Sequence, residues 1–217
     1  MTDIKLLKET FTKIYDENIW AMGQEESKSG KGSTLNFTLS LLDTLSTLLK
    51  EYDIKTMVDT SCGDWNWLKY IQTLLCDYTG LDIVESIIQE NQEKYTNQKT
   101  KFICIDFLTY LKSLPDNSVD LILCRHTCEH LPKDYIFDFF IECKRVTKYL
   151  LLTTKKTNSD EVCNQELNFP SSTYRPLDFD KPPFDVFFKP YCVKEIYDGP
   201  ITVRDPQMFI YLYKFNE

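Results

Sequence analysis

Residues 55–67 read Lys-Thr-Met-Val-Asp-Thr-Ser-Cys-Gly-Asp-Trp-Asn-Trp. The first five are a short, largely apolar run that closes on an acid, the pattern of a buried strand. A small-residue turn containing Gly63 follows, and from Trp65 to Cys76 the apolar spacing becomes helical. Strand, glycine-bearing turn and helix in that order open a βα unit.

Working outward, the alternation continues. Strands are expected at 77–81, 101–105, 119–124 and 148–153, with helices at 83–95, 107–114 and 133–145 between them. Such spacing needs right-handed crossovers and a parallel sheet covered on both faces. Upstream, Ile4, Leu7, Phe11 and Ile14 lie at helical intervals over 3–15; residues 22–33 are a polar, glycine-containing loop; residues 34–51 are helical again. Downstream, 155–183 is polar, proline-bearing and irregular, and runs 185–189 and 208–215 read as a strand pair near the sheet edge. There is no internal repeat and no low-complexity tract. The fold class is α/β.

The 217 residues suffice for one domain with a real core. Hydrophobic residues at 42% and charged residues at 27% give the balance of a soluble globular protein. No apolar run is long enough to span a membrane, and the opening residues, with acidic Asp3, are not expected to be a targeting segment. A net charge of −8 argues against a nucleic-acid partner, which needs a basic face; Lys28 with Lys31, and Lys155 with Lys156, read as solvated loop lysines. Cys62, Cys104 and Cys124, three of the eight cysteines, sit in or beside strand-like runs and read as buried reduced thiols, as in the cytoplasm. Cys124, His126, Cys128 and His130 alternate and would share a face on a strand, offering soft metal ligands. The strand is expected to end near Arg125, so no metal site is assigned, although acids and histidines together also suit Mg²⁺.

Acids recur at strand ends: Asp59, Asp82 and Asp106. All three would project to the rim where ligands gather in such sheets. Asp82 stands about twenty residues past the first turn, where a carboxylate accepts both ribose hydroxyls. Asp106 suits an exocyclic amine, with Phe107 beside a base; helix capping is the competing use of an acid there. The first turn has neither G-x-G-x-x-G nor a P-loop lysine, and Asp64 would repel a pyrophosphate. A cationic ligand such as S-adenosylmethionine (SAM) is favoured over a dinucleotide or ATP.

The run VDTSCGDWNW (58–67) resembles the first motif of class I SAM-dependent methyltransferases, most of all the subgroup written D-x-P-C-G-D-[FW]-N-W. GLDIVESII (80–88), FICIDFL (102–108) and DLILCRHTCEHL (120–131) resemble the second, third and fourth motifs. ESKSGKGS (26–33), after Trp20, resembles the subgroup's N-terminal segment, and YRPLDFDKPPF (174–184) its late loop. The resemblance implies a Rossmann-like domain: a mostly parallel seven-stranded sheet, helices on both faces and a C-terminal antiparallel hairpin. Residues 54–154 would be the SAM-binding core, 1–53 the helices and cofactor-covering loop, and 155–217 the acceptor loop and terminal strands. By position, Asp59, Thr60, Ser61, Gly63 and Asp64 would face the methionine part, Asp82 and Ile83 the ribose, and Asp106 and Phe107 the adenine. Trp20, Ser29, Gly30 and Ser33 would close over the cofactor. The chain departs from the pattern at Ser61 and Trp65, where most such enzymes have glycine, and at His126, where the subgroup often has aspartate. The Trp65 ring would cover the cofactor or anchor the helix.

Methyl transfer from a sulfonium needs an aligned acceptor and, for a hydroxyl, a base. His126 is the first candidate, His130 the second, and Asp64 the third, as base or as the base's partner. Arg125 would orient acceptor or cofactor, or form a structural ion pair. Tyr174 and Arg175 would line the acceptor pocket. The resemblance points to a sugar hydroxyl of a glycan or glycoconjugate as acceptor, with S-adenosylhomocysteine (SAH) as product. The alternatives are an N- or O-methyltransferase for a small molecule or protein, and a non-catalytic SAM-binding scaffold.

Overall fold

In the computed structural model the described residues are 3–23, 26–71, 76–158, 162–199 and 208–215. Seven strands form one sheet: β1 (Thr56–Asp59), β2 (Asp77–Asp82), β3 (Thr100–Cys104), β4 (Val119–Cys124), β5 (Thr147–Lys155), β6 (Cys192–Tyr197) and β7 (Met208–Lys214). Their order is β3-β2-β1-β4-β5-β7-β6. The first five pair in parallel, and β7 lies antiparallel between β5 and β6. Strand order reverses between β1 and β4, which opens a crevice at their carboxyl ends.

Alternation along the strands builds a core on each face. Val58, Ile122, Leu150 and Leu152 enter one core, and Met57, Leu121, Leu123 and Leu151 the other. The first is covered by α1 (Ile4–Asp16), α4 (Phe107–Ser113), α5 (Lys133–Val146) and α6 (Asp185–Phe188). Burial of Tyr135, Ile136, Phe139, Phe140, Cys143 and Val146 on α5 follows the three-and-four spacing of one helix face. The second core is covered by α2 (Leu35–Glu51) and α3 (Glu85–Tyr95), with Leu41, Leu45 and Leu48 of α2 inside.

Two expectations fail. The helix over 65–76 is instead a short 3-10 turn, Leu68–Tyr70, with residues 72–75 outside the described set. Trp65 has φ 52°, a left-handed conformation that a helix cannot contain. The run 185–189 is helical because Phe184 and Phe188, four apart, are the buried residues, while Val186 is exposed. The hairpin strand is β6, with Lys194 and Glu195 on the sheet's outer edge, where charge discourages further pairing.

Candidate active site

The turn after β1 is stitched to both neighbouring strands. Thr60 N–H donates to the Leu123 carbonyl at 2.9 Å, and Cys62 N–H to that of Leu81 at 2.8 Å. Gly63 then takes φ 52°, and a Cβ there would collide with the Ser29 hydroxyl. Its N–H donates at 3.1 Å to Asp82, whose other oxygen accepts from Val84 N–H at 3.0 Å. Asp59 accepts from the Tyr78 hydroxyl at 2.9 Å. Asp106 caps α4 through Thr109 N–H at 2.8 Å and also accepts from the Tyr135 hydroxyl.

The three acids share a cleft of about 920 Å³, open mouth included. Ile83, Ile105 and Phe107 add an apolar wall at that end. Burial raises the Asp59 carboxyl to about 7, against its hydrogen bonds from Tyr78 and Ser61. Burial likewise raises Asp82 to about 6, against the N–H groups of Val84 and Gly63. Neither acid has an ion-pair partner among the described residues. A cationic ligand with hydroxyls to donate fits this donor set.

Trp20, Ser29 and Ser33 line the same cleft, as does Tyr15, whose hydroxyl meets Ser29 Oγ at 2.9 Å. Gly30, at φ 93°, packs against the Trp20 backbone. Asp64, expected at the methionine part or as a base, does neither. Its carboxylate accepts from Ser27 Oγ at 2.9 Å, Lys28 N–H at 2.7 Å and Ser29 Oγ at 2.9 Å, pinning the covering segment to the β1 turn, and it does not line the cleft. Trp65 does not cover a cofactor either: its buried ring packs among Tyr78, Tyr95 and Phe102 in the second core.

The segment after β4 carries both histidines. His126, at φ 52°, has Nδ1 2.8 Å from Glu129 and Nε2 3.4 Å from Asp198. Burial and Arg125 push its pKa down, but hydrogen bonds to Asp198 and Glu129, with the Glu129 charge, outweigh them and hold it at about 9. His126 also lines the cleft, but with both nitrogens engaged and the charged form favoured it is ill suited to act as a base. Arg125 is the structural ion pair: its Nε and Nη2 grip Asp198 at 3.0 and 2.9 Å, its Nη2 meets the Gly32 carbonyl at 3.0 Å, and its guanidinium lies over Trp67. A histidine pKa raised above about 6.5 contributes stability that is complete below that value and lost as pH rises through about 9. Unfolding free energy should therefore fall by up to about 1.4 kcal/mol per pH unit from about pH 7 to 9. Urea titrations should show that slope removed in His126→Gln; parallel profiles would refute the imidazolium.

His130 differs. Its Nδ1 contacts the Thr173 carbonyl, which only accepts, so Nδ1 carries the proton and Nε2 the lone pair. Burial lowers its pKa, and the ring is neutral at pH 7. It lines the cleft and packs on Trp20 at 5.2 Å and Phe11 at 6.3 Å. Tyr174 and Arg175 do not line the cleft: Tyr174 packs on His130 at 5.9 Å, and Arg175 is buried behind Leu131, donating to its carbonyl. Among the described residues, no three His, Cys, Asp or Glu side chains are placed to hold a metal ion. Cys124 and Cys128 meet sulfur to sulfur at 3.7 Å inside the core.

Residues 58–149 match the family model described as a methyltransferase domain. The match spans 92 of the 217 residues and points to SAM-dependent methyl transfer. No curated protein sequence matches it significantly. Among solved structures, the chain resembles 1,6-didemethyltoxoflavin-N1-methyltransferase of Burkholderia thailandensis, bound to 1,6-didemethyltoxoflavin and SAH. That match has a TM-score of 0.68 at 11% identity and covers 98% of this chain and 88% of that one. It also resembles magnesium protoporphyrin IX methyltransferase of Synechocystis PCC 6803 with bound SAM, with a TM-score of 0.63 at 12% identity, covering 100% and 98%. At such identities the likeness is one of fold. No described helix is long and apolar enough to cross a membrane.

Proposed function

We propose that the protein is a single-domain enzyme that methylates a hydroxyl of a sugar in a glycan or glycoconjugate, with His130 as general base. The observation that carries the reading is the state of His130: neutral, fixed in one tautomer and lining the cofactor's cleft. A hydroxyl acceptor needs such a base. Aromatic faces at Phe11 and Trp20, with hydroxyls at Ser61 and Thr127 in the same cleft, suit a ring that is apolar on its face and polar at its rim. The motifs' resemblance to a glycan-associated subgroup supports the same acceptor. Eight unpaired cysteines agree with a reducing cytoplasm.

The cofactor supplies a methyl group on a sulfonium, which needs no further activation. Asp82 would hold the ribose, Ile83, Ile105 and Phe107 the adenine with Asp106 at its edge, and Asp59, Ser61 and Gly63 the methionine part. Trp20, Ser29 and Ser33 would exclude water from above. Nε2 of His130 would take the acceptor's proton, and the Thr173 carbonyl, bonded to Nδ1–H, would favour the imidazolium so formed.

Transfer of labelled methyl from SAM tests this on a panel of oligosaccharides, nucleotide sugars, RNA, protein extract, phenols and flat heterocycles, with and without EDTA. Label in a saccharide is expected. Label only in a heterocycle would favour the second reading, a small planar acceptor, which the aromatic lining also accommodates. Label only in RNA or protein would overturn the acceptor, and absence of label anywhere would favour the scaffold alternative.

A further inference from the structure

Arg175 is a buried cation without an ion-pair partner among the described residues. Its side chain belongs to a residue only 4% exposed, and Nη2 donates to the Leu131 carbonyl. Nε and Nη1 are buried and have no hydrogen-bond partner. The carboxylates that influence it are engaged elsewhere: Glu129 with His126 at 2.8 Å, and Glu166 with Lys133 at 3.8 Å. Among the described residues nothing forms an ion pair with it.

Buried charges are ordinarily paired, because an uncompensated one is expensive to hold. Burial pushes the Arg175 pKa down, in line with this strain, yet guanidinium stays charged at any physiological pH. The position is also fixed. Arg175 N–H donates to the Glu129 carbonyl at 3.0 Å, which straps the residue to the turn that bears His130. Both residues that flank it there, His130 and Leu131, line the cleft. The guanidinium therefore stands behind the wall beside the base.

We propose that Arg175 receives an anionic group of the acceptor, a carboxylate or a phosphate, so that the methylated sugar is an acidic one. The proposal rests on the sugar reading above. Tyr174, half-exposed, packed on His130 and next to Arg175 in the chain, would move to admit the acceptor's anion. Planar N–H donors suit either anion, and in a chain of net charge −8 a buried cation unpaired among the described residues selects for one.

Calorimetry on the full chain saturated with SAH tests it, with D-glucuronate, glucose 1-phosphate, D-glucose, benzoate and inorganic phosphate as probes. At least one acidic sugar should bind about tenfold or more tightly than glucose. Arg175→Gln should abolish that preference while leaving glucose and SAH binding unchanged, and Arg175→Lys should keep part of it. Unchanged SAH affinity shows that the variants are folded. Glucuronate against glucose 1-phosphate distinguishes the two anions. Equal binding of acidic and neutral sugars, acid binding that survives Arg175→Gln, or no anion binding at all would each overturn the proposal. Arg175-dependent binding of benzoate or phosphate, with no sugar bound, would sustain the anion site and remove the sugar reading instead.

Discussion

His130→Ala should lower kcat by about 10²–10⁴-fold while SAM affinity stays within a few-fold of wild type. The side chain is neutral, its Nδ1–H is committed to the Thr173 carbonyl, and its remaining lone pair belongs to a ring in the cleft wall. Substitution removes the proposed base without altering Asp59, Asp82 or the β1 turn. The rate profile carries a second signature. Because burial lowers the His130 pKa below its usual 6.5, activity should rise with pH through an apparent pKa below about 6.5 and stay level above neutrality. A base at His126 would give a rise near 9 instead. Loss of Trp20 and Phe11 packing makes some destabilisation inevitable in His130→Ala, so His130→Gln, which keeps more of the contact surface, is the necessary companion. If both variants turn over near the wild-type rate, His130 is not the base.

The contrast between the two histidines marks where the sequence stopped being legible. Four residues apart in RHTCEH, they have similar local surroundings on paper. What separates them lies far along the chain: Asp198, on the segment after β6, beside His126, and the Thr173 carbonyl beside His130. Long-range partners of that kind leave no periodic trace. Tyr15 and Tyr135 were missed for a similar reason, since each sits on an amphipathic helix where an aromatic reads as core, and only packing places it in the cleft wall. Glu129 had a weak signal, an acid three residues from His126, but its buried contact with the ring depends on the 3-10 turn at Cys128–His130.

The sheet was far more readable. A parallel strand buried on both faces is a continuous apolar run, and 119–124 (VDLILC) could hardly be anything else once it alternated with helices. Acids at the ends of β1 and β2, and just past β3, landed in one cleft because a parallel sheet brings all carboxyl ends to one rim. Asp64 shows the limit of position alone. It directly follows Gly63, which lines the cleft, yet three donors from the covering segment converge on it, and its charge serves the fold.

Asp82 is the acid whose removal should weaken cofactor binding most. Asp82→Ala is expected to raise the SAM dissociation constant by about 10- to 150-fold, corresponding to about 1.5–3 kcal/mol for charge-assisted hydrogen bonds. Two losses combine in it. In the proposed placement the ribose hydroxyls lose their acceptor, and the N–H groups of Gly63 and Val84, bonded to Asp82 at 3.1 and 3.0 Å, are left unpaired where the turn needs them. Asp82→Asn separates the two, since it retains an acceptor for one backbone N–H but no charge. The ionisation state gives an independent check. Burial raises the free carboxyl to about 6, so a ligand that requires the carboxylate should bind about tenfold more weakly for each pH unit below that value. Asp59, raised to about 7 on the same rim, steepens the dependence if it too faces the cation. Wild-type affinity that is flat from pH 5 to 8, together with unchanged binding in Asp82→Ala, would place the ribose elsewhere. A flat Asp82→Ala profile against a steep wild-type one would fix the titrating contact on this side chain.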